Sequence, residues 1–236
     1  MKRSSFTIEG LPAIRWGEVS DKLFIAVHGA SGSKDDEGIT IFAEEAVRKG
    51  YQVLSFDLPE HGDRKGENYL CNVQNGVRDL TVIGAYAQNI STHLSLFACS
   101  LGAYFSLLAY RDCPFEQCLF LSPIVDMQRI IENMMRRFNV SEDQLRREKE
   151  IETPIGRTLY WDYYSYVKSH PIDAWGRPTA ILYGSEDDTS EFLAISEFAE
   201  RYRCRLSVLE QGEHYFHTDE QLQYLRRWLR DIILPV

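Results

Sequence analysis

The sequence has no disulfide framework. Its five cysteines, Cys71, Cys99, Cys113, Cys118 and Cys204, are odd in number, scattered and never spaced Cys-x-x-Cys. That pattern excludes a cystine-stapled secreted scaffold and the common zinc motifs, so reduced thiols and a cytoplasmic setting are expected. Positive charge is also scarce. The 26 Lys and Arg are outweighed by 35 Asp and Glu, for a formal net charge of −9, which argues against a non-specific grip on nucleic acid or anionic membrane. No apolar run approaches the ~20 residues a membrane span needs, and no Lys/Arg-led apolar segment opens the chain. Internal repeats and low-complexity linkers are missing too.

What the 236 residues do contain is an alternation of short apolar runs with amphipathic helical stretches. "SFTIEG" and "PAIRWG" read as an opening antiparallel pair. "KLFIAVHG", "YQVLSFD", "HLSLFACS", "QCLFLSP", "PTAILYG" and "CRLSVLEQG" follow, each closing on a polar, Gly or Pro signal. Near-continuous apolar runs of this length suit strands buried on both faces of a mostly parallel sheet. The stretches between them, such as "DEGITIFAEEAVRKG" and "DEQLQYLRRWLRDII", have helical periodicity. The class is α/β, with helices on both faces of the sheet.

From Pro123 to Trp175 about fifty residues separate two strands, where a crossover needs far fewer. "DMQRIIENMMRRF" and "SEDQLRREKEIE" have helical spacing, the second with Glu142–Arg146 and Asp143–Arg147 at i,i+4. "LYWDYYSYV" is strongly aromatic. The interval 123–175 is therefore expected to be a helical cap inserted into a core of residues 1–122 and 176–236. Met127, Met134 and Met135 read as packing within it.

The chemistry centres on "ACSLGA". A nucleophile on a sharp strand-to-helix turn needs small residues two before and two after it, because neighbouring backbone comes very close. Ser100 has Ala98 and Gly102 at those positions, whereas Cys99 has Phe97 and Leu101. Ser100 fits the elbow and Cys99 does not.

A serine hydroxyl needs a histidine to take its proton and an acid to orient that histidine. "YGSEDDTS" offers Glu186, Asp187 and Asp188 at a strand end, and "EQGEHYFHTDEQL" offers His214 and His217. Asp187 is favoured because G-x-x-D places it just past the strand. His214 is favoured because Thr218 and Gln221 form a capping box that sets His217 at the helix start. Asp126, at the end of the preceding strand, is the competing acid. The oxyanion donors are expected to be the N–H of Leu101 and that of Ala30 in "VHGASGSK", where Gly29 and Gly32 allow a tight turn. His28 is read as a hydrogen-bonded orienting residue of that loop.

As an ordered set these motifs resemble the α/β-hydrolase superfamily. "HGASGSK" is similar to an H-G-x-x-G-x-K loop and "FDLPEHGDR" to a D-x-x-G-H-G turn with Glu60 in place of the first glycine. "ACSLGA" is the elbow, with Ala98 for its first glycine, "YGSEDD" the acid turn and "GEHYF" the histidine loop. The resemblance is to small capped carboxylesterases of the cinnamoyl or feruloyl kind. It implies hydrolysis of a small-molecule ester through an acyl-enzyme, with no metal and no organic cofactor. It also implies that Asp57 and His61 belong to a structural turn. Under it the cap's Tyr160, Trp161 and Tyr164 are candidate substrate contacts, and the alternative reading of the same aromatic stripe is packing of the cap onto the body. A small-peptide peptidase and a non-hydrolytic lyase are the alternatives on the same fold, and a non-catalytic binding protein is disfavoured because Ser100, Asp187 and His214 are all present.

Overall fold

The computed structural model describes residues 1–235, which fall into two compact units, residues 1–125 with 174–235, and residues 126–173. In the larger unit β1 (Arg3–Ile8), β2 (Leu11–Trp16), β3 (Lys22–Val27), β4 (Gln52–Phe56), β5 (His93–Cys99), β6 (Cys118–Leu121), β9 (Thr179–Gly184) and β10 (Arg205–Leu209) form one sheet. Its order is β1-β2-β4-β3-β5-β6-β9-β10. The first hairpin runs antiparallel, as the opening pair predicts, and from β4 through β10 every pairing is parallel.

Strand residues alternate between two faces because the pleat has period two. Phe24, Ala26, Val53, Phe97 and Leu182 meet Ile39 and Phe42 of α1 (Glu37–Arg48) and Leu225 and Leu229 of α8 (Asp219–Ile232) in one core cluster. Phe42 stacks on Phe97 with ring centroids 4.0 Å apart. The partner positions Leu23, Ile25, Leu96 and Phe120 are equally buried. On their side α2 (Val73–Ile90) packs against α3 (Ser100–Ala109) through Gly76, where a Cβ would come within 2.5 Å of the Phe105 ring. α7 (Phe192–Tyr202) lies between β9 and β10 in the chain. The carboxyl ends of β3, β5, β9 and β10 lead into the four loops that carry the chemistry-bearing residues.

The smaller unit holds α4 (Met127–Arg137), α5 (Glu142–Glu148) and α6 (Trp161–Ser169), plus a short antiparallel hairpin of β7 (Glu150–Glu152) and β8 (Thr158–Tyr160). The hairpin corrects the purely helical reading. The helix predicted over 141–152 stops at Glu148, where Lys149 takes φ 69°, and Gly156 at φ 73° turns the chain back. Met127 and Met135 are buried as packing residues. Tyr164 is also buried, at 3% exposure, and its hydroxyl lies 3.1 Å from Glu132 Oε1 and 3.4 Å from Glu142 Oε2. The hydroxyl of that ring is therefore engaged inside the unit. Tyr160 is 48% exposed, and Trp161 carries the Arg146 guanidinium 4.9 Å above its ring. Among the described residues no helix is long and apolar enough to cross a membrane.

Candidate active site

β5 ends at Cys99 and α3 begins at once with Ser100, whose φ of 45° is left-handed. A non-glycine residue rarely holds that conformation, and it turns the hydroxyl out at the carboxyl edge of the sheet. The small flank has a direct cause. A Cβ on Gly102 would sit 2.3 Å from the carbonyl oxygen of His28 and 2.8 Å from a Val27 methyl. Ala98 is fully buried between Val27 and Phe120 of the neighbouring strands. Its one methyl group fits where the usual pattern has glycine. Burial pushes the Cys99 thiol well above its ordinary pKa, which keeps it protonated and a poor nucleophile.

His214 arrives on the loop between β10 and α8, its imidazole between two partners. Its Nε2 is 2.8 Å from Ser100 Oγ, and its Nδ1 is 2.7 Å from Asp187 Oδ2. Asp187 follows β9 on a loop that is itself pinned. Its Oδ1 accepts from the N–H groups of Thr189 and Ser190, both at 2.8 Å, and its side chain is wholly buried. Tyr183 donates from its hydroxyl to the Ser190 carbonyl, closing the turn. The acid loop and the histidine loop approach closely enough that a Cβ on Gly184 would meet the Gly212 carbonyl at 2.3 Å. Thr189 and Ser190 contribute backbone groups, which carry no residue-type signal in the sequence.

The rejected candidates are exposed or bonded elsewhere. Glu186 and Asp188 are exposed. His217 is exposed beside Glu213, 3.2 Å away, and its N–H bonds to Gln221 within the predicted capping box. Asp126 caps α4 through the N–H of Arg129 at 2.9 Å.

The loop after β3 lies beside the elbow. A Cβ on Gly29 would be 3.1 Å from Ser100 Cβ, so only a glycine leaves this approach free of crowding. Ala30 is exposed at the tip of a turn that the Gly32 N–H closes on the Gly29 carbonyl at 3.2 Å, and Leu101 stands in the first turn of α3, where backbone N–H groups have no helical acceptor. His28 is fully buried. It accepts from the Leu58 N–H at 3.0 Å and lies 2.7 Å from the Gly29 carbonyl through Nδ1. Burial lowers its pKa to about 4, so the ring stays neutral, with Nδ1–H donating, and serves as a fastener. The loop is tied further by Lys34, whose ammonium meets Asp57 at 2.5 Å and Asp63 at 2.7 Å. Asp57 is fully buried and also accepts from the N–H groups of Lys34 and Asp63.

The sequence matches no protein-family model, and no curated protein matches it. Solved structures do match. Est1E from Butyrivibrio proteoclasticus, seen with ferulic acid bound, aligns with a TM-score of 0.76 at 19% identity, covering 97% of this chain and 96% of that one. The Pf2001 esterase of Pyrococcus furiosus aligns at 0.67 and 20% identity, over 98% of this chain and 92% of its own. Mouse alpha/beta hydrolase domain-containing protein 10 aligns at 0.74 and 15% identity, over 98% of each. The chain has the α/β-hydrolase fold, and in architecture it resembles small esterases.

Proposed function

We propose that the protein is a serine hydrolase that cleaves carboxylic esters of small or medium acyl or aryl groups through an acyl-enzyme. The observation that carries this reading is the unbroken relay from Ser100 Oγ through His214 to the buried Asp187 carboxylate, at 2.8 and 2.7 Å. In the first half-reaction Ser100 Oγ attacks the ester carbonyl carbon while His214 Nε2 takes the hydroxyl proton. Asp187 holds the Nδ1–H tautomer and stabilises the imidazolium. The N–H groups of Ala30 and Leu101 receive the negative oxygen, each donor typically contributing about 3 kcal/mol of barrier lowering. His214 then protonates the leaving alcohol as the carbon–oxygen bond breaks. Water, deprotonated by His214, repeats the sequence on the acyl-enzyme, releasing the acid and restoring Ser100.

Residues 123–175, which include the compact unit 126–173, are proposed to act as an inserted cap that selects the substrate, with Tyr160, Trp161 and Tyr164 as its aromatic residues; the partly exposed faces of Tyr160 and Trp161 support contact by those two. Est1E, of the same fold, is seen with ferulic acid, which supports an aryl or medium acyl group here. A cytoplasmic setting is part of the same reading, supported by the five free thiols among the described residues.

The test is hydrolysis of p-nitrophenyl esters from acetate to laurate, with an aryl acid ester alongside and Ser100→Ala as control. Turnover that disappears in Ser100→Ala while the variant remains folded is the expected result. Equal turnover in the variant would remove Ser100 from the chemistry, and no turnover of any ester would remove esterase activity.

A further inference from the structure

The loop after β3 and the turn after β4 are fastened by two imidazoles facing in opposite directions. His28, on the loop, accepts the N–H of Leu58 on the turn at 3.0 Å; His61, on the turn, accepts the N–H of Ser31 on the loop at 2.9 Å. Their rings are 5.3 Å apart. His28 and Lys34 anchor the two stems of the loop, and His61 reaches its tip. Resting on the function proposed above, we infer that His61 is a positioning residue for the oxyanion donor of Ala30, acting through the Ser31 amide.

Three observations carry this. Ser31 holds a left-handed φ of 64° although it is not glycine, a conformation that persists only where surrounding bonds over-determine it. It occupies the third position of the turn whose ends, Gly29 and Gly32, are joined by a 3.2 Å hydrogen bond, so its geometry fixes the direction of the neighbouring Ala30 peptide. The acceptor that meets the Ser31 N–H is prepared for the purpose. His61 Nδ1 lies 2.7 Å from the Pro59 carbonyl, which makes Nδ1 the protonated nitrogen and leaves the Nε2 lone pair for Ser31. The turn presenting the ring is held in its own way. Glu60, the residue standing in for a glycine, is at φ 62°, and its carboxylate accepts the Cys71 N–H at 2.6 Å.

A positioning role predicts a loss confined to the transition state, because Ser31 and His61 do not touch the reacting atoms. Two variants separate it from a general structural role. His61→Leu keeps the bulk and removes the acceptor, whereas His61→Gln can place an amide oxygen near the site of Nε2. On a p-nitrophenyl ester, His61→Leu is expected to lower kcat roughly tenfold to a hundredfold with KM changed less than about threefold. A boronic acid that forms an anionic adduct on Ser100 should bind more weakly by the same factor, and His61→Gln should recover most of both. Wild-type kcat in His61→Leu, a raised KM at constant kcat, or equal losses in both variants would overturn the inference. Amide hydrogen exchange at Ser31 supplies a readout independent of turnover: slow in the wild type and His61→Gln, fast in His61→Leu. Fast exchange in the wild type refutes the tie even if the variants fail to fold. An inactive wild type with this exchange pattern intact would count against the esterase reading and not against the tie.

Discussion

A buried imidazole is a pH-dependent part of the framework. With its pKa lowered to about 4 by burial, His28 is mostly unprotonated in the folded state at pH 5, whereas an unfolded histidine titrates near 6.5. The unfolded state therefore binds more protons across this window, and stability falls as the pH drops from the unfolded toward the folded value. The loss from this residue between about pH 7 and pH 5 is roughly 2 kcal/mol. Urea unfolding at the two pH values checks it: His28→Gln, with no titrating ring, is expected to show a shallower slope than the wild type. Parallel slopes would mean that His28 is not buried as a neutral ring. The sequence could assign His28 an orienting role because a histidine inside a Gly-flanked loop has little room to act as a base. It could not reveal that the buried Lys34 bridges the buried Asp57 and the exposed Asp63, because these partners lie 23 and 29 residues from Lys34.

The strand–elbow–helix element shows why some patterns are legible. The requirement for small residues around Ser100 is steric and local, so it is written directly at positions 98 and 102. Gly102 is the stricter of the two, since its hypothetical Cβ meets backbone, which cannot swing away as a side-chain end can. Gly102→Ala is expected to cost roughly 1–3 kcal/mol of stability by overpacking and to displace α3 from the Gly29 loop. A shifted urea midpoint together with reduced ester turnover would be the outcome, and an unchanged midpoint would contradict the close approach. The 150–160 hairpin was illegible for the opposite reason. Its strands are three residues each, and the charged run "RREKEIE" carries helical ion-pair spacing up to the point where Lys149 turns left-handed. Short strands held by two apolar positions, Ile151 opposite Leu159, leave no periodicity to read.

At the scale of the whole molecule, the order of elements along the chain does most to define the site. Ser100, Asp187 and His214 are separated by 87 and 27 residues, yet each follows a strand of the same sheet, and parallel strands deliver their carboxyl ends to one edge. That convergence could be inferred from sequence because it depends on strand order and loop placement, not on side-chain detail. The fastening of the acid loop by Thr189 and Ser190 could not, being made by backbone groups. Nor could the burial of Tyr164, where an aromatic stripe reads alike whether it lines a surface or fills a core. The most direct test of the central claim is mass analysis of the intact protein quenched during turnover of a p-nitrophenyl ester, with peptide mapping of any adduct. The account predicts a mass increase of one acyl group, located on Ser100 and absent from Ser100→Ala. Turnover with no acyl adduct, or an adduct mapped to Cys99 or another residue, would contradict it.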